Sequence, residues 1–145
     1  MTASIQKDLQ GPDWPLGFIS VATPGTPVGI MSLVDPNNYN SPSTPSSVNS
    51  AEYTVRAHQI QFQGYKPGAS HGMIYNQGFV YVVRKGVASG TGNRDDSGSI
   101  VAMIAPGQTY FLDAAPINDN TWSPYRYYID ADNATDGALV TLIIQ

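Results

Sequence analysis

The sequence has few charges, no cysteine and no long apolar run. Only 12% of its 145 residues are Asp, Glu, Lys or Arg, against about 25% in an ordinary soluble domain. The lack of cysteine excludes disulfides and thiolate metal sites. Apolar runs such as Phe79 to Val83 are far shorter than the ~18 residues of a membrane-spanning helix. Residues 1–10 lack the pattern of a signal peptide. We therefore expect neither a membrane span nor a secretory leader.

The charge that is present has the wrong sign for a nucleic-acid partner. The net charge is −4 at pH 7, and the seven basic residues are scattered without forming a run. Mixed surface charge ordinarily keeps soluble proteins apart from one another. A chain that carries so little of it is typical of a protein covered by copies of itself or by a partner.

The pattern of the chain predicts an all-β fold. Fourteen glycines and eleven prolines fall between short apolar runs, and no window shows a convincing helical period. The stretch His58 to Gln63 alternates polar and apolar residues, as a strand with one solvated face does. Further strands are predicted at Leu16–Val21, Val28–Val34, Gly72–Tyr75, Phe79–Lys85, Ile100–Ile104, Gln108–Leu112, Tyr125–Asp130 and Ala138–Ile144, the last as a central strand. We expect a single-domain β-sandwich or barrel, with a jelly roll favoured over an immunoglobulin-like sandwich, whose cysteine signature is missing.

Two polar segments complete the predicted organisation. Residues 1–15 are expected to form an extended N-terminal arm with Trp14 as an anchor, and residues 16–145 the β domain. Within that domain, residues 37–50 are polar and of low complexity, which predicts a long surface loop or an arm that orders on a partner.

The sharpest local pattern is the acidic segment from Asp130 to Gly137. Asp130, Asp132 and Asp136 supply carboxylates at short spacing, and hard cations such as calcium bind several such oxygens. The EF-hand pattern fails here, because the positions that require glycine and glutamate hold Thr135 and Thr141. A solvated hairpin joining two strands explains the same residues, so no metal is expected and calcium is a secondary hypothesis.

Nothing in the sequence assigns catalysis. His58 and His71 are the only histidines and Glu52 is the only glutamate, too few for the clustered ligands of a cupin-type metal enzyme. No nucleophile elbow and no phosphate-binding loop is present. We therefore expect a protein without enzymatic activity and without a cofactor.

An aromatic cluster is the strongest candidate for a contact surface. Trp122, Tyr125, Arg126, Tyr127 and Tyr128 lie within one short segment, and these residue types carry much of the binding energy at protein interfaces. The same rings could stack on sugars, or alternate tyrosines could line the core with hydroxyls at its rim. These alternatives stay open at this stage, and Trp14 is a further interface candidate.

The order of motifs resembles that of a known group of proteins. The segments Gly17–Pro27, Pro106–Gln108, Ser123–Asp132 and Asp136–Gln145 look like parts of small proteins encoded beside the major capsid gene of tailed bacteriophages. The chain is in this respect similar to capsid decoration or cementing proteins. The resemblance implies a β-rich domain on the exterior of a virion, made in the host cytoplasm, that clamps neighbouring subunits of the shell without catalysis.

Three functions follow as hypotheses. The first is a structural virion protein that binds the major capsid protein and copies of itself, as a homo-oligomer on the particle. The second is a glycan- or receptor-binding β-sandwich module, for instance on a virion fibre. The third is a degenerate cupin-like enzyme, which would require His58 and His71 to converge with acidic residues.

Overall fold

The computed structural model confirms the all-β prediction. It describes residues 13–34, 57–69, 72–84, 100–113 and 124–143, and these form strands joined by turns, with one short 3₁₀ helix at Pro124–Arg126. The strands are β1 (Asp13–Ser20), β2 (Val28–Gly29), β3 (Gln59–Gln63), β4 (Tyr65–Pro67), β5 (Met73–Tyr75), β6 (Val80–Arg84), β7 (Ile100–Ile104), β8 (Thr109–Asp113), β9 (Tyr127–Ala131) and β10 (Gly137–Ile143).

The strands pair in a nested order. One four-stranded sheet has the order β1-β10-β3-β8 and a second has the order β2-β9-β6-β7, while β4 and β5 form a separate two-stranded ribbon. Without the ribbon, the first strand pairs with the last, the second with the second-last, and so on inward to the β6–β7 pair. All of these pairs are antiparallel. This is the strand order of a jelly roll and not that of an immunoglobulin sandwich.

Both sheets contribute to one hydrophobic core. In β3, Ile60 and Phe62 are buried while the alternating glutamines lie on the outer face, as predicted for a strand with one solvated side. The strand β10 lies between β1 and β3, so the prediction of a central strand near the C-terminus is confirmed. Facing side chains come from the second sheet, among them Val80, Val82 and Ile129.

The N-terminal boundary differs from the prediction. The first strand begins at Asp13, where it pairs with Ile143, and Trp14 is 7% exposed inside the core. Residues 13–15 therefore belong to the sheet and not to an arm, because β10 offers them a partner edge that sequence spacing does not reveal. The rest of the predicted arm, residues 1–12, and the polar loop at 37–50 lie outside the described residues.

Several of the described connections lie at one end of the sheets. The connections at 21–27, 105–108 and 132–136, and the ribbon between β3 and β6, all lie at the ends of strands that meet there. The turn at 105–108 is of type II, since Gly107 has φ 79° and the Gln108 N–H donates to the Ala105 carbonyl at 3.0 Å. The segment 132–136 is not a hairpin, because it links β9 in one sheet to β10 in the other.

Candidate functional site

Most of the aromatic residues nominated from the sequence lie in the core. Trp14, Tyr125, Tyr127 and Tyr128 are all buried, with Tyr128 fully inaccessible. For Tyr127 and Tyr128 the reason is the position of β9 between β2 and β6, where every residue of the strand is buried. The structure thus corrects the prediction of a contact surface for these residues in favour of core packing. Arg126 is half-buried, and Trp122 lies outside the described residues.

The three carboxylates of the calcium hypothesis face different partners. Asp130 is buried and accepts hydrogen bonds from the N–H groups of Gly25 (2.9 Å) and Ala131 (2.7 Å). Asp132 accepts from the hydroxyl of Tyr81 at 3.0 and 3.1 Å. Within the described ranges, no group of three His, Cys, Asp or Glu side chains is placed to share a metal ion. In the described ranges, the three carboxylates of the acidic segment therefore bond to separate turns and strands.

The third carboxylate, Asp136, anchors the ribbon to the sheets. Its buried oxygens accept hydrogen bonds from the N–H groups of Gln77 (2.9 and 3.0 Å) and Gly78 (2.9 Å). The Lys66 ammonium, on β4, lies 3.1 Å from Asp136 Oδ1. A buried carboxylate is stable only when its charge is paired and its lone pairs are hydrogen-bonded. Asp136 meets that requirement with partners from both ends of the ribbon, β4 and the segment that follows β5.

A second buried contact reinforces the same junction. The side chain of Asn76 donates to the carbonyl of Gly137 at 2.7 Å and accepts from its N–H at 3.1 Å. Gly137 is required here, because a Cβ at this position would lie 1.9 Å from the carbonyl oxygen of Ile19. The Asn76 side chain thereby makes the two hydrogen bonds to the Gly137 backbone that a neighbouring strand would otherwise make. The chain leaving the ribbon is thus fixed directly to β10.

The anchored ribbon exposes a patch of large apolar side chains. Met73, Ile74 and Tyr75 are 54%, 49% and 67% exposed. The ring of Tyr75 stacks on that of Tyr65, with centroids 5.6 Å apart and planes inclined by 26°. We call Tyr65, Met73, Ile74 and Tyr75 the ribbon patch. The backbone of Gly107 underlies it, because a Cβ on this glycine would lie 2.5 Å from the ring of Tyr75.

The ribbon patch has the composition of a binding surface. A two-stranded hairpin is marginally stable by itself in water, and here buried bonds hold one whose strand β5 is exposed along its whole length. Tyrosine and methionine are enriched at protein interfaces, and an exposed apolar cluster ordinarily marks an interaction site. The only charge on the two strands is that of Lys66, which is paired with Asp136. The patch can therefore bind an apolar partner surface without desolvating an unpaired charge.

Sequence reasoning identified half of this ribbon. The strand at Gly72–Tyr75 was predicted and is confirmed as Met73–Tyr75, whereas no strand was predicted at Tyr65–Pro67, where β4 lies. The sequence did contain a signal for this hairpin, because Tyr65 precedes Gly68 by the same number of residues as Tyr75 follows Gly72. Tyrosines so placed are expected to face each other across a hairpin.

Some of the other exposed apolar residues lie on the two sheets. Met103 on β7 and Phe111 on β8 are 57% and 49% exposed. On the outer face of the first sheet, Phe111 lies opposite Gln61 in register, and Gln61 donates to Gln59 at 2.8 Å. This glutamine face, formed by Gln59, Gln61, Gln63 and Phe111, is polar where the ribbon patch is apolar.

The histidines of the cupin hypothesis do not form a site in the described part of the chain. The backbone N–H of His58 donates to the carbonyl of Ile143 at 2.8 Å, beside β10. His71 and Glu52 lie outside the described residues. The described ranges contain no helix with the length and hydropathy to cross a membrane.

No protein-family model, no curated protein and no solved structure matches the chain. The function is therefore argued from the ribbon patch, the glutamine face and the composition of the chain.

Proposed function

We propose that this chain is a non-catalytic structural protein that binds and stabilises the shell of a tailed bacteriophage, as a decoration or cement protein. Its partner would be the major capsid protein, and its place the exterior of the capsid. The observation that carries the proposal is the ribbon patch, where three consecutive large apolar side chains are about half exposed or more on a ribbon held by an ion pair to the buried Asp136 carboxylate.

The anchoring supports a binding role because it fixes the patch before contact. Side chains that are already ordered lose less conformational entropy on binding than those on a free loop. The Lys66–Asp136 pair and the Asn76–Gly137 bonds hold the two ends of the ribbon, while the Tyr65–Tyr75 stack fixes its aromatic face. A rigid apolar ridge of this kind suits a groove between two subunits of a shell.

The composition supports the same proposal. With 12% charged residues, the chain has less surface repulsion to overcome on close contact than an average domain. A small interface would suffice for each copy, since repetition over a shell multiplies the stabilisation. The jelly roll itself hosts many functions, so the fold is compatible with the proposal without selecting it.

The test is co-sedimentation of the purified protein with shells of the capsid protein encoded beside it, together with the mass per particle. We expect stoichiometric binding and a shell that resists heat better than the undecorated shell. Absence of binding to these shells, with the protein folded and monomeric, would overturn the proposal.

The glutamine face favours a second candidate, a glycan-binding module. Amide groups beside an exposed aromatic ring, here Gln59, Gln61 and Phe111, can hydrogen-bond sugar hydroxyls and stack on the sugar ring. Of the rings first considered for this role, Tyr125 is buried and Trp122 lies outside the described residues. Binding to a glycan array that Phe111→Ala abolishes and Tyr75→Ala leaves unchanged would support this second function over the first.

A further inference from the structure

The outer edge of β5 has backbone groups that are not used within the ribbon. The N–H of Gly68 donates to the carbonyl of Gly72 at 2.7 Å, so this opposed pair is hydrogen-bonded. In an antiparallel ladder such pairs alternate with non-hydrogen-bonded ones. Following the register, Pro67–Met73 is non-hydrogen-bonded, Lys66–Ile74 is hydrogen-bonded and Tyr65–Tyr75 is non-hydrogen-bonded. The N–H and C=O groups of Met73 and Tyr75 therefore point away from β4.

We propose that two copies of this chain associate by pairing their β5 edges antiparallel about a two-fold axis at Ile74. On this axis, Met73 of one copy lies opposite Tyr75 of its partner. Both residues direct their backbone groups outward, so each Met73–Tyr75 pair exchanges both backbone hydrogen bonds. The spacing of free groups along β5 is therefore self-complementary, and the two ribbons join into one continuous sheet.

The side chains fit the same axis. Met73 and Tyr75 lie on one face of the ribbon, so the pairing brings the Met73 sulfur beside the partner's Tyr75 ring, a favourable contact for a thioether. No charge of β5 opposes the pairing, since Met73, Ile74 and Tyr75 are uncharged. The nearest ammonium, that of Lys66, is held by Asp136. Two copies can therefore approach at β5 without repulsion between like charges.

The edges of the two larger sheets carry features that oppose such pairing. β1 contains Pro15 and a register shift, β2 has two residues, β7 pairs through a register shift, and β8 ends on Asp113. Proline, irregular register, shortness and charge are the ways in which sheets protect their edges. Although β5 is also short, it has a regular register and lacks proline and charge.

The first test measures the mass of the full chain in solution by sedimentation equilibrium. We expect twice the 15.5 kDa of one chain at high concentration. Met73→Pro removes an outward N–H and leaves the bonds of the ribbon intact, so it should weaken association about thirty-fold or more, because each copy loses a donor. The matched control Met73→Ala keeps the N–H and should retain association. A wild-type protein that stays at 15.5 kDa at all concentrations would overturn the inference.

A charge exchange tests the register independently of proline. The variant Met73→Lys/Tyr75→Lys and the variant Met73→Asp/Tyr75→Asp should each be monomeric, because like charges oppose across the axis. Mixed together, they should form a heterodimer visible by native mass spectrometry. Self-association of either variant, or the absence of a heterodimer when the wild type dimerises, would overturn the inference.

This inference does not rest on the proposed function, although paired copies would present two ribbon patches side by side to a shell. A dimer that binds no shell would refute the shell-binding proposal alone. A monomer that binds shells would refute the pairing alone.

Discussion

The strands β9 and β5 both contain tyrosine, yet their side chains differ completely in exposure. All five residues of β9 are buried, including Tyr127 and Tyr128, whereas all three residues of β5 are exposed. The difference comes from their places in the fold, since β9 lies between β2 and β6 and β5 is the edge of a two-stranded ribbon. Aromatic density marks an interface only when topology leaves the rings uncovered.

The largest contrast is expected between two tyrosine truncations. Tyr128→Ala should lower the free energy of unfolding by about 3–5 kcal/mol, because it leaves a cavity at a fully buried position. Tyr75→Ala, at a position 67% exposed, should change it by about 0.5 kcal/mol or less. Urea denaturation of the two variants beside the wild type measures both values. Equal losses of stability would remove the distinction between the two strands.

A somewhat smaller loss is expected when the anchor of the ribbon is removed. Asp136→Ala leaves the Lys66 ammonium and the N–H groups of Gln77 and Gly78 without their acceptor, which should cost about 3 kcal/mol. A double-mutant cycle with Lys66→Met should give a coupling energy of about 1–3 kcal/mol. Additive effects of the two substitutions would show that the ion pair does not hold the ribbon.

The smallest effect concerns pH and the buried phenol of Tyr127. Burial raises the pKa of Tyr127 above 10.0, and the hydrogen-bonded Arg84 guanidinium opposes this shift. Because the folded-state pKa is raised, the contribution of the neutral phenol is fully present below pH 10.0 and is lost as pH rises through the folded pKa. Tyr127→Phe should cost about 1 kcal/mol at pH 7 through the lost hydrogen bond, and should flatten the alkaline decline. Thermal unfolding of Tyr127→Phe and the wild type, measured from pH 7 to above pH 10.0, tests this prediction. The same pH dependence of stability in both proteins would contradict the role given to the Tyr127 phenol.

Much of the fold could be predicted from the sequence because turns and alternation are local signals. The strand at Ile100–Ile104 is found as predicted, since a short apolar run followed by proline and glycine is a signal that acts within a few residues. The start of β1 at Asp13 was missed, because its pairing with Ile143 spans the whole chain.

The candidate site could not be predicted in the same way. Whether a tyrosine is covered depends on which strands flank its own, and no local pattern reports that order. The acidic segment illustrates the same limit, because Asp136 is buried by Lys66 and the segment after β5, which are distant in sequence. A solvated hairpin fits the local sequence of this segment, but the prediction is wrong because the segment links strands of two different sheets.

Shell co-sedimentation of two matched surface variants tests whether the ribbon patch contacts the shell. The variants are Tyr75→Ser on the ribbon and Met103→Ser on the second sheet. Both replace an exposed apolar side chain, and both should fold like the wild type. We expect Tyr75→Ser to bind shells at least tenfold more weakly than the wild type, a loss of about 1.4 kcal/mol in binding free energy. Met103→Ser should bind as the wild type does. Undiminished binding by Tyr75→Ser, or equal losses in both variants, would contradict the assignment of the ribbon patch as the contact surface.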